Sequence, residues 1–487
     1  DAFACEFLAS AGADLGFVHE KTRSTVLHSI ASSSSNQSAM ADWAESRTAV
    51  LVSIIHGNIP LAKVLIENGA DVGKADGEGR SPLSIALFDR NDTILAESIV
   101  KSGGTSVVNH RVDKESLLHI AVKKDNFDIS KFLLENKANV NVEDKNAATP
   151  LEVAVRQNNV TMVNLLLEHG ASVRIPENSE DSVLHIAVSK GAQMLKVFAD
   201  KAKDVDWSAS GILNYALDEK ALDCAKIIVA AGAEIDSKDS SGNSLLIQRI
   251  LLSDDPGATF LLEKGASHLE RDEGGRSCLE LAAFYGLINT LRVICGLGVN
   301  INERVDGGYG YTVLKHTLSE DHYDCAQLLV SLGCDLESTT ADGSFIQTML
   351  HYFIDSDDEK AAVFLVQSGC NGNAKRVSRD SGEEREESAL HRAVSSGMNK
   401  LVSALVAAKV SLTWQDAQGR TACHVAVQER NAEALSELLK ASDVSFLSIR
   451  DKIGQTPFSM AVITKEHSVG YSKAFEFKES FKGQHFS

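Results

Sequence analysis

The chain has 487 residues, 44% of them hydrophobic, and sets 67 Asp and Glu against 48 Lys and Arg for a formal net charge of −19. One hydrophobic core does not serve that length, so several domains or a repeat array is expected, and six prolines with few aromatics lean toward helix. The acidic balance speaks against nucleic acid or an anionic lipid surface as partner, since both are gripped by Lys and Arg, and no run approaches the roughly 18 apolar residues of a membrane span.

No signal peptide opens the chain; it starts at Asp1 inside the helix-like CEFLASAGADLG, which reads as a fragment or a processed chain. The tetrad TVLH at Leu27 and His28 then begins a pattern that is interrupted by the Ser-, Asn- and Gln-rich stretch near 32–47, a loop insertion by composition. Similar tetrads follow, with third residues at Leu83, Leu118, Leu151, Leu184, Leu213, Leu246, Leu279, Leu314, Leu350, Leu390, Cys423 and Phe458. From Leu27 the spacings are 56, 35, 33, 33, 29, 33, 33, 35, 36, 40, 33 and 35, a period near 33.

Within TPLEVAVRQNNVTMVNLLLEHGASV, Thr149 suits a helix cap and Pro150 the first helical position. A break at Asn158 and Asn159 separates a second helix through Met162 to Leu167, and Gly170 supplies a left-handed end. Gly69, Gly232, Gly265, Gly298, Gly333 and Gly369 hold the same place in their units. Between units, Asp and Gly recur three apart at Asp76/Gly79, Asp239/Gly242, Asp272/Gly275, Asp416/Gly419 and Asp451/Gly454, the ends of a type I turn. Period, tetrads and turns together resemble the ankyrin-repeat family over about residues 5–462. The resemblance implies an all-α ankyrin-repeat solenoid of about 13 helix-turn-helix units with hairpin loops.

The array is expected to span 1–462, with insertions near 32–47 and 376–387, and 463–487 to form an atypical tail. The second insertion, in SGCNGNAKRVSRDSGEEREESALHRAV, reads as an overgrown hairpin tip, because the SALH tetrad resumes in phase. Beyond Val462, Phe475, Phe477 and Phe481 either cap the last helix or belong to a chain end without order.

The tetrad histidines His28, His119, His185, His351, His391 and His424 lie one per unit, too far apart to share a zinc ion, so hydrogen bonding at helix starts is the expected role. The eight cysteines include no C-x-x-C, which suits a reduced intracellular setting, and neither P-loop nor hydrolase fingerprint occurs. No catalysis, metal or cofactor is therefore expected of these residues. Ankyrin arrays usually bind partners through hairpin tips and the first helix of each unit. At those positions Phe88, Phe284 and Tyr285, with Arg276, are the candidate partner-binding residues, exposed aromatics being common interface anchors.

The C-terminal third, GSFIQTMLHYFIDSDDEKAAVFLVQSGCNGNA, the acidic insertion, then DAQGRTACHVAVQERNAEALSELL and IRDKIGQTPFSMAV, is similar to the rabankyrin family of ankyrin-repeat and FYVE-finger proteins. That resemblance implies a cytoplasmic scaffold, peripheral on early endosomes, that serves as a Rab GTPase effector in endocytosis and macropinocytosis. In that family a BTB module precedes the array, and zinc and phosphatidylinositol 3-phosphate belong to the FYVE finger; neither module's pattern is in this sequence. The family's Asn-Pro-Phe tripeptide is absent as well. A different ankyrin adaptor, a ubiquitin-ligase substrate receptor or the cytoplasmic array of a channel, is the alternative.

Overall fold

The computed structural model describes residues 48–173, 182–202, 205–208, 211–305, 311–341, 345–380 and 383–466. The first tetrad with His28, the insertion near 32–47 and residues 467–487 lie outside them. The chain divides into two compact units, 1–234 and 235–487.

The first unit holds helices α1 (Ala49–Ile55), α2 (Ile59–Glu67), α3 (Pro82–Ser84, running into a π-helical turn Ile85–Asp89), α4 (Thr93–Val108), α5 (Leu117–Lys123), α6 (Phe127–Glu135), α7 (Pro150–Arg156), α8 (Val160–Glu168), α9 (Val183–Lys190), α10 (Ala192–Lys201), α11 (Ile212–Asp218) and α12 (Leu222–Ala230). The second holds α13 (Leu245–Leu251), α14 (Asp255–Glu263), α15 (Cys278–Phe284), α16 (Ile288–Gly296), α17 (Val313–Ser319), α18 (Tyr323–Ser331), α19 (Met349–Asp355), α20 (Glu359–Gln367), α21 (Ala389–Ser395), α22 (Asn399–Ala407), α23 (Ala422–Gln428), α24 (Ala432–Leu438) and α25 (Pro457–Glu466).

Each repeat is an antiparallel pair, typically seven residues and then nine, and the reasons are local. Thr149 Oγ1 accepts from the Glu152 amide to start α7, and Asn159 Oδ1 accepts from the Met162 amide to start α8. At the far end of α20, Gly369 donates to the Val366 carbonyl and Cys370 to that of Leu365, a Schellman closure that needs the φ of 95° found at Gly369. Lys137 and Lys409 close α6 and α22 with the same bonds at φ of 67° and 56°, so two ends do without glycine.

Pairs bury their apolar stripes on one another. In the first unit α7 packs between α5 and α9, and α8 on α10; in the second α15 packs on α17, α14 on α16, and α22 between α20 and α24. Met162, Val163 and Leu166 of α8 are fully buried, each worth roughly 1.5–3 kcal/mol against exposure. Ala121, Ala154, Ala187, Ala282, Ala393 and Ala426 share one repeat position and are buried to within 1%, which lets neighbouring first helices approach closely.

Among the described residues, strands occur only in loops between repeats. β1 (Arg111–Val112) pairs with β2 (Glu115–Ser116), and β3 (Arg304–Val305) with β4 (Tyr311–Thr312). Two successive loops in the second unit join into one antiparallel sheet ordered β5 (Thr339–Ala341), β6 (Phe345–Thr348), β7 (Lys375–Asp380) and β8 (Glu383–Ser388). The five Asp/Gly turns all close, with the glycine amide donating to the aspartate carbonyl at 2.8–3.0 Å.

Candidate protein-binding surface

The tetrad histidines serve the fold. His119 Nε2 donates to the Ala148 carbonyl at 2.9 Å, and its Nδ1 receives the Ser116 hydroxyl at 2.8 Å. His391 repeats this with Arg420 at 2.9 Å and Ser388 at 2.7 Å, and His424 with Gln455 at 3.0 Å and Thr421 at 2.9 Å. A carbonyl only accepts, so Nε2 carries the proton and each ring ties its own helix start to the loop before the next repeat. Burial holds all three below the ordinary histidine value, against the raising effect of those carbonyls.

In two consecutive repeats of the second unit the fourth tetrad residue is not His but Glu280, then Lys315. There the exposed face of the first helices carries a different arrangement. Arg276, half-buried on its loop, is locked to Asp272 by a 2.7 Å ion pair and by its own amide at 2.8 Å. Burial would raise Asp272, but these bonds from Arg276 outweigh it and hold the carboxyl below its usual range. Glu280 is 6% exposed, and burial pushes it up despite the Arg276 charge. Its Oε1 faces His316 Nε2 at 3.8 Å; burial, then Lys315 and Arg276, keep that histidine below its ordinary value.

Aromatic rings surround this polar group. Phe284 meets Tyr285 edge-on at 5.2 Å and His316 at 6.4 Å. One repeat on, the Lys315 ammonium stands 4.5 Å over the Tyr352 ring, and beyond it Arg392 pairs with Asp355 at 3.0 Å. Phe284, Tyr285, Lys315, His316, Tyr352 and Arg392 are each partly exposed, so α15, α17, α19 and α21 present a band of rings and charges to solvent. Such a band suits a protein surface: rings supply rigid area, and charged groups at its edge add polar contacts.

Of the four residues singled out by sequence, Arg276, Phe284 and Tyr285 therefore fall in one neighbourhood of the second unit. Phe88 lies in the first unit, half-buried in the π-helical turn, with Lys124 Nζ 5.0 Å over its ring. Glu280, His316, Lys315 and Tyr352 were missed; the loss of the tetrad histidine could not have found them, because four successive units lack it, with Asn214, Ile247, Glu280 and Lys315 in its place.

Catalytic chemistry finds little support here. Burial pushes the thiols of Cys278, Cys370 and Cys423 up to about 12, far from the thiolate a nucleophile needs. Among the described residues no group of three His, Cys, Asp or Glu could hold a metal ion, and no helix is long and apolar enough to cross a membrane.

A family model described as ankyrin repeats, three copies, matches residues 90–177, 350–448 and 390–471. These are ankyrin repeats. The array is similar to Rabankyrin-5 of Homo sapiens, 28% identical over 161 residues, covering 33% of this chain and 11% of that protein. It is also similar to the E3 ubiquitin-protein ligase KEG of Arabidopsis thaliana, 22% identical over 390 residues, covering 76% of this chain and 22% of that protein. The chain thus spans about a tenth of the one relative and about a fifth of the other. Among solved structures, the ankyrin repeat domain of Bcl-3 aligns with a TM-score of 0.35 at 18% identity, over 60% of this chain and 98% of that one. An ankyrin array of this kind is a protein-interaction scaffold, and its fold is typically non-catalytic.

Proposed function

We propose that this ankyrin array is a Rab effector of early endosomes, acting in endocytosis and macropinocytosis from the cytoplasmic side, and that the band around Phe284 and Tyr285 receives the GTPase. The observation that carries the binding role is the cluster of partly exposed rings and paired charges on α15, α17 and α19, with Arg276 at its edge. The Rab assignment is supported by the partial likeness to Rabankyrin-5 and by the C-terminal third described above.

The test is retention of an early-endosomal Rab GTPase by the purified chain. GTP-loaded protein is retained and GDP-loaded protein is not, and Phe284→Ala with Tyr285→Ala weakens retention about tenfold, the effect of removing central aromatic anchors worth ~1–2 kcal/mol. Equal retention of both nucleotide states ends the effector reading. Unchanged binding by the double variant moves the interface elsewhere.

A second reading, a substrate receptor for a ubiquitin ligase, is favoured by the 390-residue likeness to KEG. It predicts that the chain captures a ubiquitination substrate and ignores the nucleotide on any Rab.

A further inference from the structure

The four-stranded sheet ends on one side at β5, three residues long, and on the other at β8, six residues long. A six-residue edge leaves alternate amides and carbonyls facing outward, a ready template for another strand. The next loop along, 411–421, does not fill it: that loop closes as a compact turn in which the Asp416 amide donates to the Arg420 carbonyl, and its Gln418 carbonyl accepts from Lys452. Among the described residues no strand pairs with the outer side of β8.

The chemistry of a matching strand is written in the sheet itself. β8 reads EEREES, four glutamates and one arginine, and its inner neighbour β7 reads KRVSRD. Their register sets Arg376 opposite Glu387 and Arg379 opposite Glu384, while Asp380 stands opposite Glu383 at the turn, so away from the turn two of this strand's four glutamates already stand opposite arginines. Two β8 edges from two copies would set glutamates against glutamates, which disfavours self-pairing. We propose that the open edge of β8 binds an extended, lysine- or arginine-rich segment of a partner protein as a fifth strand. This site is separate from the band around Phe284, and neither depends on the other. Main-chain bonds would supply the geometry and the glutamates the selection.

The probe is a capped octapeptide of alternating lysine and valine, added to the full chain while backbone amide exchange is followed. Amides in 383–388 gain protection, and those of 111–116 do not. Two further peptides carry N-methyl groups on either the lysine or the valine amides. An added strand uses only alternate amides, so one form binds like the parent and the other about tenfold or more weaker. The variant Glu383→Lys, Glu384→Lys, Glu386→Lys, Glu387→Lys, checked for an unchanged unfolding curve, loses the peptide. Equal binding of both methylated forms would reduce the interaction to charge alone and overturn the proposal. So would absence of protection at 383–388, or sedimentation showing that the chain dimerises through this edge.

Discussion

His391→Ala tests the claim that tetrad histidines tie one repeat to the next. The ring is 3% exposed, receives the Ser388 hydroxyl at 2.7 Å and donates to the Arg420 carbonyl at 2.9 Å. Two hydrogen bonds contribute about 1 kcal/mol each, and leaving the Arg420 carbonyl short of a donor adds about 1 kcal/mol or more, so the loss at pH 7.5 is about 3 kcal/mol. With a urea slope of about 2–3 kcal/mol/M, the midpoint of the transition that includes α21 and α23 falls by roughly 1 M. The pH dependence sharpens the test. Burial places the folded pKa of His391 below its unfolded value, so below about pH 6.5 the unfolded chain takes up a proton that the folded chain refuses. Stability conferred by the neutral ring is complete above that pH and declines as pH falls, by at most about 1.4 kcal/mol per pH unit. The variant lacks this term, so the gap between the two proteins narrows from pH 7.5 to pH 5.5. A gap below about 0.5 kcal/mol at pH 7.5, or one that stays constant with pH, would refute a buried, neutral, bridging ring.

Two further expectations concern backbone and thiols. Lys409→Gly relieves a left-handed residue at φ 56° and raises stability by up to about 1 kcal/mol, whereas Gly369→Ala, at φ 95° with open space around its missing Cβ, lowers it by about 1 kcal/mol; calorimetry on the two variants gives the signs. Because burial pushes Cys278 and Cys423 up to about 12, both react with iodoacetamide at pH 8 on the order of a hundredfold slower in the folded chain than in urea. Peptide mass spectrometry resolves the two sites.

Much of the fold was legible because each repeat is specified locally. The caps, the glycine ends and the Asp/Gly turns are short-range chemistry, and each was found where the residue types placed it. Lys137 and Lys409 escaped notice because the Schellman bonds can force a left-handed residue without glycine when neighbouring packing holds it. The insertion of β7 and β8 was read as an overgrown hairpin tip, but its joining to β6 was not, since pairing Phe345 with Ser378 depends on two loops 33 residues apart being brought side by side by the stacked helices between them. The same reason limited the site. Arg276, Phe284 and Tyr285 belong to one repeat and could be grouped by position, but His316 and Tyr352 come from the next two, and only stacking sets them beside the first.

The departure at Glu280 carries a final prediction, because it separates stability from binding. Six units use a tetrad histidine and seven do not; this one, like the unit of Glu152, places a carboxylate there, and Glu280 is buried. Its folded pKa is raised by burial, so its favourable contribution belongs to the protonated form, present below its unfolded value and lost as pH rises through the folded one. At pH 7.5 the glutamate is therefore a burden on the repeat, retained beside His316 and Arg276. Glu280→His would restore a neutral ring able to donate to the carbonyl of Tyr311, the residue before the next tetrad, as His119 does to Ala148. The variant should be more stable at pH 7.5 by about 1–2 kcal/mol, one net hydrogen bond plus relief of a buried charge. The gain should shrink as pH falls, because the raised carboxyl of Glu280 takes up its proton more readily in the folded chain while the new histidine resists one. Partner binding through the band should weaken at the same time. If Glu280→His were less stable than the natural chain at pH 7.5, the carboxylate would be a structural member of the repeat, and its burial beside His316 and Arg276 would no longer mark a surface kept for binding.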